Sequence, residues 1–246
     1  MSTDRARLQI FISYTSEDLK RAQFLAKKLA SDGFTPWHDR DELRSGDQWE
    51  ERIQETIRSV DAVVLCITQN ATRNNRYFRK ELQLSCRIAA ELHQKRPFLF
   101  PVQMKPSRAI PAVLRKVHCE SLHSEGGYAR LRQALHSLAL DLNRTIPPFP
   151  TEVAEGAFTA TGNNSDGEEY INEVEIRGDG GQYEITWHNV DEIVKGIGTF
   201  EGATLKVASP DWHFTYDLHA DGTLTGEWEQ GAFERLVPHL AYSPRS

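Results

Sequence analysis

The side chains with the types and spacing to do chemistry lie between Ser13 and Glu81. Glu81 follows Tyr77 by four positions in Asn75-Arg-Tyr77-Phe-Arg-Lys-Glu81. On a helix an i, i+4 pair shares one face, so this ring and this carboxylate can meet one ligand. A carboxylate fixed in a cleft can stabilise positive charge that develops in a ligand, as in the breaking of a glycosidic bond. Ser13 and Tyr14 end the run Leu8-Gln-Ile-Phe-Ile12, and the polar loop from Asp39 to Asp47, holding Asp41, Arg44 and Gly46, leads to Trp49. Each has a plainer reading too. Glu81 also reads as a solvated helix residue, Tyr77 and Trp49 as packing rings, and Arg44 as an exposed loop charge. No histidine or cysteine cluster has metal-ligand spacing, so no metal site is expected.

The elements that would position these residues alternate. Leu8 to Tyr14 reads as a buried strand, and Ser16-Glu-Asp18 starts a helix carrying Leu19, Ala22, Leu25 and Leu29 that stops at Gly33. Phe34 to Trp37 is a short strand whose proline suits an edge. A helix from about Asp47 to Ser59 has Trp49, Ile53 and Ile57 on one face, and Val63 to Ile67 is a continuous apolar run suited to a central parallel strand. A helix from Arg76 to Leu92, a strand from Phe98 to Gln103, a short apolar piece near Val117 and a helix from Gly127 to Leu142 complete the series. Such alternation predicts a doubly wound parallel sheet, α/β in class, with its ligand beyond the carboxyl ends of the strands.

Taken together, the run ending in Ser13-Tyr14, the loop 38–47, the run Ala62 to Thr68 and the helix bearing Glu81 resemble a TIR (Toll/interleukin-1 receptor) domain of the bacterial kind, over roughly residues 5–145. The resemblance implies a flavodoxin-like fold and an NAD+-cleaving enzyme of bacterial immunity, releasing nicotinamide with Glu81 as catalytic residue. It places Tyr77 on the nicotinamide, Ser13 and Tyr14 near the ribose or phosphates, and Asp41, Arg44 and Trp49 around the pocket. It implies self-association through the loop with Gly46 and Asp47, and NAD+ as substrate with no cofactor. The family usually has Trp at the position of Tyr77 and Ser near Asn75; tyrosine also stacks. The alternative the resemblance allows is a non-enzymatic scaffold that associates through the same loop, which has no need of Glu81 and Tyr77.

The rest of the chain is a different object. Residues 1–150 carry 24 Lys and Arg against 17 Asp and Glu, while residues 151–246 carry 5 against 18. The basic half lacks a clustered stripe with interleaved aromatics, so nucleic acid is not an expected partner, and the acidic half disfavours anionic ligands. Domains are expected at 1–146 and 170–246, joined by a linker over 147–169 that is rich in Pro, Gly, Ala, Thr and Asn. Six alternating runs at 170–176, 183–187, 193–200, 204–208, 213–219 and 223–228 predict a small antiparallel barrel or half-barrel, with turns at Gly178 to Gly181 and Asp221-Gly222. Gly196, Gly198 and Gly226 are expected at its corners. Its aromatics, among them Tyr170, Trp187, Phe214 and Tyr216, read as core. The acidic domain is expected to bind a protein trigger or another copy of the chain. No apolar run approaches a membrane span and no signal peptide is evident, which makes the cytoplasm the expected location. The odd count of cysteines, Cys66, Cys86 and Cys119, reads as small core residues.

Overall fold

The computed structural model describes residues 6–37, 49–69, 76–92, 96–106, 110–124, 126–147, 155–163, 167–179, 181–189, 192–201, 203–209, 213–227 and 232–239. The chain divides into two compact units, Met1–Ile146 and Pro147–Ser246.

In the first unit, strands β1 (Gln9–Ser13), β2 (Thr35–Trp37), β3 (Ala62–Ile67), β4 (Leu99–Gln103) and β5 (Glu120–Ser121) form a parallel sheet of order β2-β1-β3-β4-β5. Helices α1 (Leu19–Ser31), α2 (Trp49–Ser59), α3 (Arg76–Leu92) and α4 (Gly127–Asp141) cover it. Period-two alternation along β1 and β3 sorts the core into two layers. Ile10, Ile12, Val64 and Cys66 pack with Ala22, Leu25 and Leu29 of α1 and with Leu131, Leu135 and Leu138 of α4. Phe11, Val63, Leu65 and Ile67 pack with Ile53 and Ile57 of α2 and with Phe78, Leu82 and Ile88 of α3. Every residue of β3 is buried, which is why it reads as a continuous apolar run. Gly33, at φ +82°, ends α1: its N–H donates to Ala30 O, and Phe34 N–H to Leu29 O, closing the helix with a left-handed residue as only glycine does cheaply. The three cysteines are free thiols, and burial pushes that of Cys66 well up.

The second unit is a closed antiparallel barrel of eight strands. The six expected strands are present as β7 (Glu169–Asp179), β8 (Gln182–His188), β9 (Ile193–Glu201), β10 (Thr204–Ala208), β11 (His213–Leu218) and β12 (Leu224–Glu227). Two more close the ring. Strand β6 (Gly156–Asn163) falls within the stretch expected as linker, and β13 (Phe233–Pro238) was not expected at all; they pair with each other from Phe233↔Asn163 to Pro238↔Phe158. The linker expectation over 147–169 is therefore corrected at 156–163. Small residues make Gly-Ala-Phe-Thr-Ala-Thr-Gly-Asn look like spacer, yet Phe158 and Ala160 are wholly buried inside the barrel.

Strand β13 escapes recognition because an inward position holds a charge. Glu234 is 1% exposed. Its Oε1 accepts from the Tyr170 hydroxyl at 3.0 Å, and its Oε2 from the Trp187 indole N–H at 3.4 Å and from the Tyr216 hydroxyl in a short bond. Glycines make room for both phenols. Gly162 and Gly226 sit opposite Glu234 on the two neighbouring strands. A Cβ on Gly162 would stand 2.4 Å from the Tyr170 oxygen, and one on Gly226 2.9 Å from the Tyr216 ring. Desolvation raises the Glu234 carboxyl above its usual range, partly offset by its three donors, and burial beside Glu234 raises both phenols. Gly196 and Gly198 likewise face Val207 and Leu205 at 2.8 and 2.7 Å from a notional Cβ, so these glycines serve interior packing.

Candidate active site

The parallel topology brings the ends of β1 and β3 side by side, with Ser13 paired to Leu65, and both chains leave the sheet at its carboxyl edge. Side chains just past these ends are tied together. Thr15 Oγ1 and Thr68 Oγ1 each donate to Asp18 Oδ2 at 2.6 Å, and Asp18 N–H donates to Thr15 O at 2.9 Å. Asp18 is 4% exposed and its two hydroxyl donors satisfy the buried carboxylate. The turn out of β1 is thus fastened to the residue that follows β3.

Helix α3 lies across this edge. Phe78, Leu82 and Ile88 anchor it in the core layer, and Glu81, beside Leu82, is turned inward at 8% exposed. Ser13 Oγ donates to Glu81 Oε2 at 2.5 Å, with Ser13 itself 1% exposed. The solvated reading of Glu81 does not hold: this is a buried carboxylate at the carboxyl end of a parallel sheet. It also lines a groove of about 360 Å³ between α2 and α3. Ile53 and Leu84 give that groove apolar lining, Gln54 and Gln83 amides, and Lys80 and Arg87 positive charge. Arg87 lies 4.0 Å from Glu91 on the solvent side, a weak exposed pair. The lining combines apolar, amide and cationic groups around one carboxylate.

Of the residues singled out in the sequence, the structure joins Ser13 to Glu81 directly. Tyr14 is buried and packs in the core layer shared with α1 and α4. Trp49 is the first residue of α2 and Tyr77 the second of α3, and their side chains lie outside the described part, as do Asp41, Arg44, Gly46 and Asp47. Sequence reasoning missed the role of Asp18, which reads as an acidic first-turn helix residue. The available signal was a threonine just past each of two adjacent strands, Thr15 and Thr68, where a buried acceptor would be needed. Among the described residues no group of His, Cys, Asp and Glu is arranged to hold a metal ion, and no helix is long and apolar enough to cross a membrane.

Several solved structures match part of the chain. The TIR domain of the Toll-related receptor TRR-2 from Hydra magnipapillata matches at 16% identity and TM-score 0.44, covering 52% of this chain and 97% of that one. A prokaryotic SEFIR domain matches at 17% and 0.42, covering 52% and 98%. The TIR domains of the activated Roq1 resistosome, which directly recognises the pathogen effector XopQ, match at 18% and 0.37, covering 54% and 84%. A redesigned β-barrel matches at 12% identity and TM-score 0.28, covering 35% of this chain and 91% of that one. No curated protein matches the chain. The family model described as TIR domain matches residues 10–136, more than half of the chain, and the chain accordingly belongs to the TIR domain family.

Proposed function

We propose that the TIR unit cleaves NAD+ at the bond between nicotinamide and ribose, with Glu81 as the catalytic residue. The observation that carries this reading is the placement of Glu81: a carboxylate buried at the carboxyl edge of the sheet, bonded to Ser13 at 2.5 Å and lining a groove with Lys80 and Arg87. As the C–N bond lengthens, its electron pair leaves with nicotinamide and positive charge grows on the ribose. A preorganised carboxylate stabilises that charge more than it stabilises the substrate. Water then adds to the anomeric carbon and loses a proton, giving ADP-ribose, or a nucleophile within the same molecule closes a cyclic product. NAD+ enters as substrate and no cofactor takes part. Lys80 and Arg87 suit the pyrophosphate, and Tyr77, four positions before Glu81, suits the nicotinamide ring.

Turnover is expected to need neighbouring TIR units associated through the loop that carries Gly46 and Asp47, with Asp41, Arg44 and Trp49 bordering the pocket. The acidic barrel would then serve as the element that senses a protein trigger or joins copies of the chain. The test is incubation of purified full-length protein with NAD+ over a range of protein concentrations, with chromatography of the products. Nicotinamide release that rises more than linearly with protein and vanishes in Glu81→Gln is the expected result. Equal turnover by Glu81→Gln sinks the enzyme reading, and no NAD+ loss at any concentration leaves the scaffold role in its place.

A further inference from the structure

We infer that Ser13 is a positioning residue, one that acts on substrate only through Glu81 by fixing the plane of its carboxylate; this rests on the NAD+-cleaving reading above. The terminal torsion of a glutamate is broad and roughly two-fold, so side-chain packing along α3 sets where the carboxyl carbon lies without setting how its oxygens point. An external donor must supply that last degree of order. Ser13 Oγ supplies it at 2.5 Å to Oε2, from a position 1% exposed to solvent. Resemblance alone would send Ser13 to the ribose or phosphates. Its burial and its bond to Oε2 assign it to the carboxylate instead.

The donor is itself held from both sides. Upstream, Ser13 is in register with Leu65 at the end of the β1–β3 ladder. Downstream, within five residues, Asp18 takes hydroxyl bonds from Thr15 and Thr68 at 2.6 Å each, tying the turn to the end of β3. The result is a rigid relay from the two central strands to one carboxylate oxygen. A supporting shell of this kind holds a reacting group within the fraction of an ångström that productive geometry requires.

The experiment compares kcat and KM for NAD+ in full-length wild type, Ser13→Ala, Ser13→Thr and Glu81→Gln, with thermal melting as the check on folding. Misplacement of a reacting group by about 1 Å costs roughly 10²-fold in rate. Ser13→Ala is therefore expected to lose about one to two orders of magnitude in kcat, with KM within a factor of about two because the buried hydroxyl does not touch substrate. Ser13→Thr, which keeps the hydroxyl, restores most of the rate. Ser13→Cys, similar in size and a weaker donor, replaces the alanine variant if that one does not fold. Wild-type kcat in Ser13→Ala overturns the inference, as does a raised KM at unchanged kcat, which marks a ligand contact. A threonine variant as slow as the alanine variant, though folded, also overturns it, since packing would then be the cause. If Glu81→Gln is inactive while Ser13→Ala is fully active, this inference alone falls. If Glu81→Gln turns over normally, or the wild type does not cleave NAD+, the functional reading falls and takes this one with it.

Discussion

Among the described residues each unit of the chain buries one glutamate, and the two are treated in opposite ways. Glu234 stands inside a closed barrel with both oxygens accepting, from two phenols and an indole, and is 1% exposed. Glu81 is 8% exposed, bonds to a serine on the neighbouring strand, and lines a groove between two helices. Burial of a carboxylate costs free energy in both places, and donors offset that cost. Where the surroundings enclose the group on all sides, the carboxylate organises its neighbours. Where one side opens on a groove, the same chemistry can be turned on a ligand.

The contrast is broken or sharpened most strongly by deleting the barrel carboxylate. Glu234→Ala leaves two hydroxyls and an indole N–H without their acceptor and opens a void, and should lower barrel stability by on the order of 3 kcal/mol. Urea unfolding followed by tryptophan fluorescence measures it. A loss below about 0.5 kcal/mol would mean that the cluster is not structural. Glu81→Gln is the mirror case: loss of turnover with a stability change of only about 1 kcal/mol, since the amide oxygen still accepts from Ser13.

Next come the two phenols. Tyr216 is wholly buried, so Tyr216→Phe strands the carboxylate of a donor that water cannot replace and should cost about 1–3 kcal/mol. Tyr170 is half-buried at the start of β7, and Tyr170→Phe should cost less, about 1 kcal/mol, as water reaches the vacated place. Reversed ranking in the same unfolding assay would show that the access assigned to the two rings is wrong.

Acidity gives a smaller signal. The folded barrel raises the Glu234 carboxyl above its ordinary value of 4.5, so the native state binds this proton more tightly than the unfolded chain. The associated stability is complete below pH 4.5 and is lost as pH rises through the native value, above which it stays constant. The difference in melting temperature between wild type and Glu234→Gln should therefore shift against the wild type from pH 4.5 upward and then level off. A flat difference across that range would mean that the carboxylate is not strained by burial.

How far the sequence disclosed these arrangements depends on what faced inward. Apolar runs gave four of the five parallel strands of the TIR sheet, because Ile10, Ile12, Val64 and the rest of the inward set are apolar, while β5, the polar pair Glu120–Ser121, follows the apolar piece expected near Val117 and has no such signal. The same rule found six barrel strands and passed over the remaining two. At β6 the inward residues include Ala160 and Gly162, too small to register, and at β13 the inward Glu234 reads as a surface charge. The polar core and the closure of the barrel were thus lost together. In the candidate site Glu81 was visible through motif context. The bond from Ser13 and the fastening of Thr15 and Thr68 to Asp18 were not, since they join residues 68, 3 and 50 positions apart through tertiary packing.

Closure of the barrel by β6 against β13 also decides what kind of docking each unit can support. A ring of eight paired strands presents no edge with a free row of N–H and C=O groups, so no peptide can be added to it as a further strand. The TIR sheet does have edges, but β2 spans three residues, one of them Pro36 with no N–H to donate, and β5 spans two. Backbone templating, the route by which many sheets recruit partners and by which unprotected ones grow into fibres, is closed to one unit and nearly closed to the other. Among the described residues, assembly is therefore left to side chains on outer faces, where a single substitution can change the choice of partner.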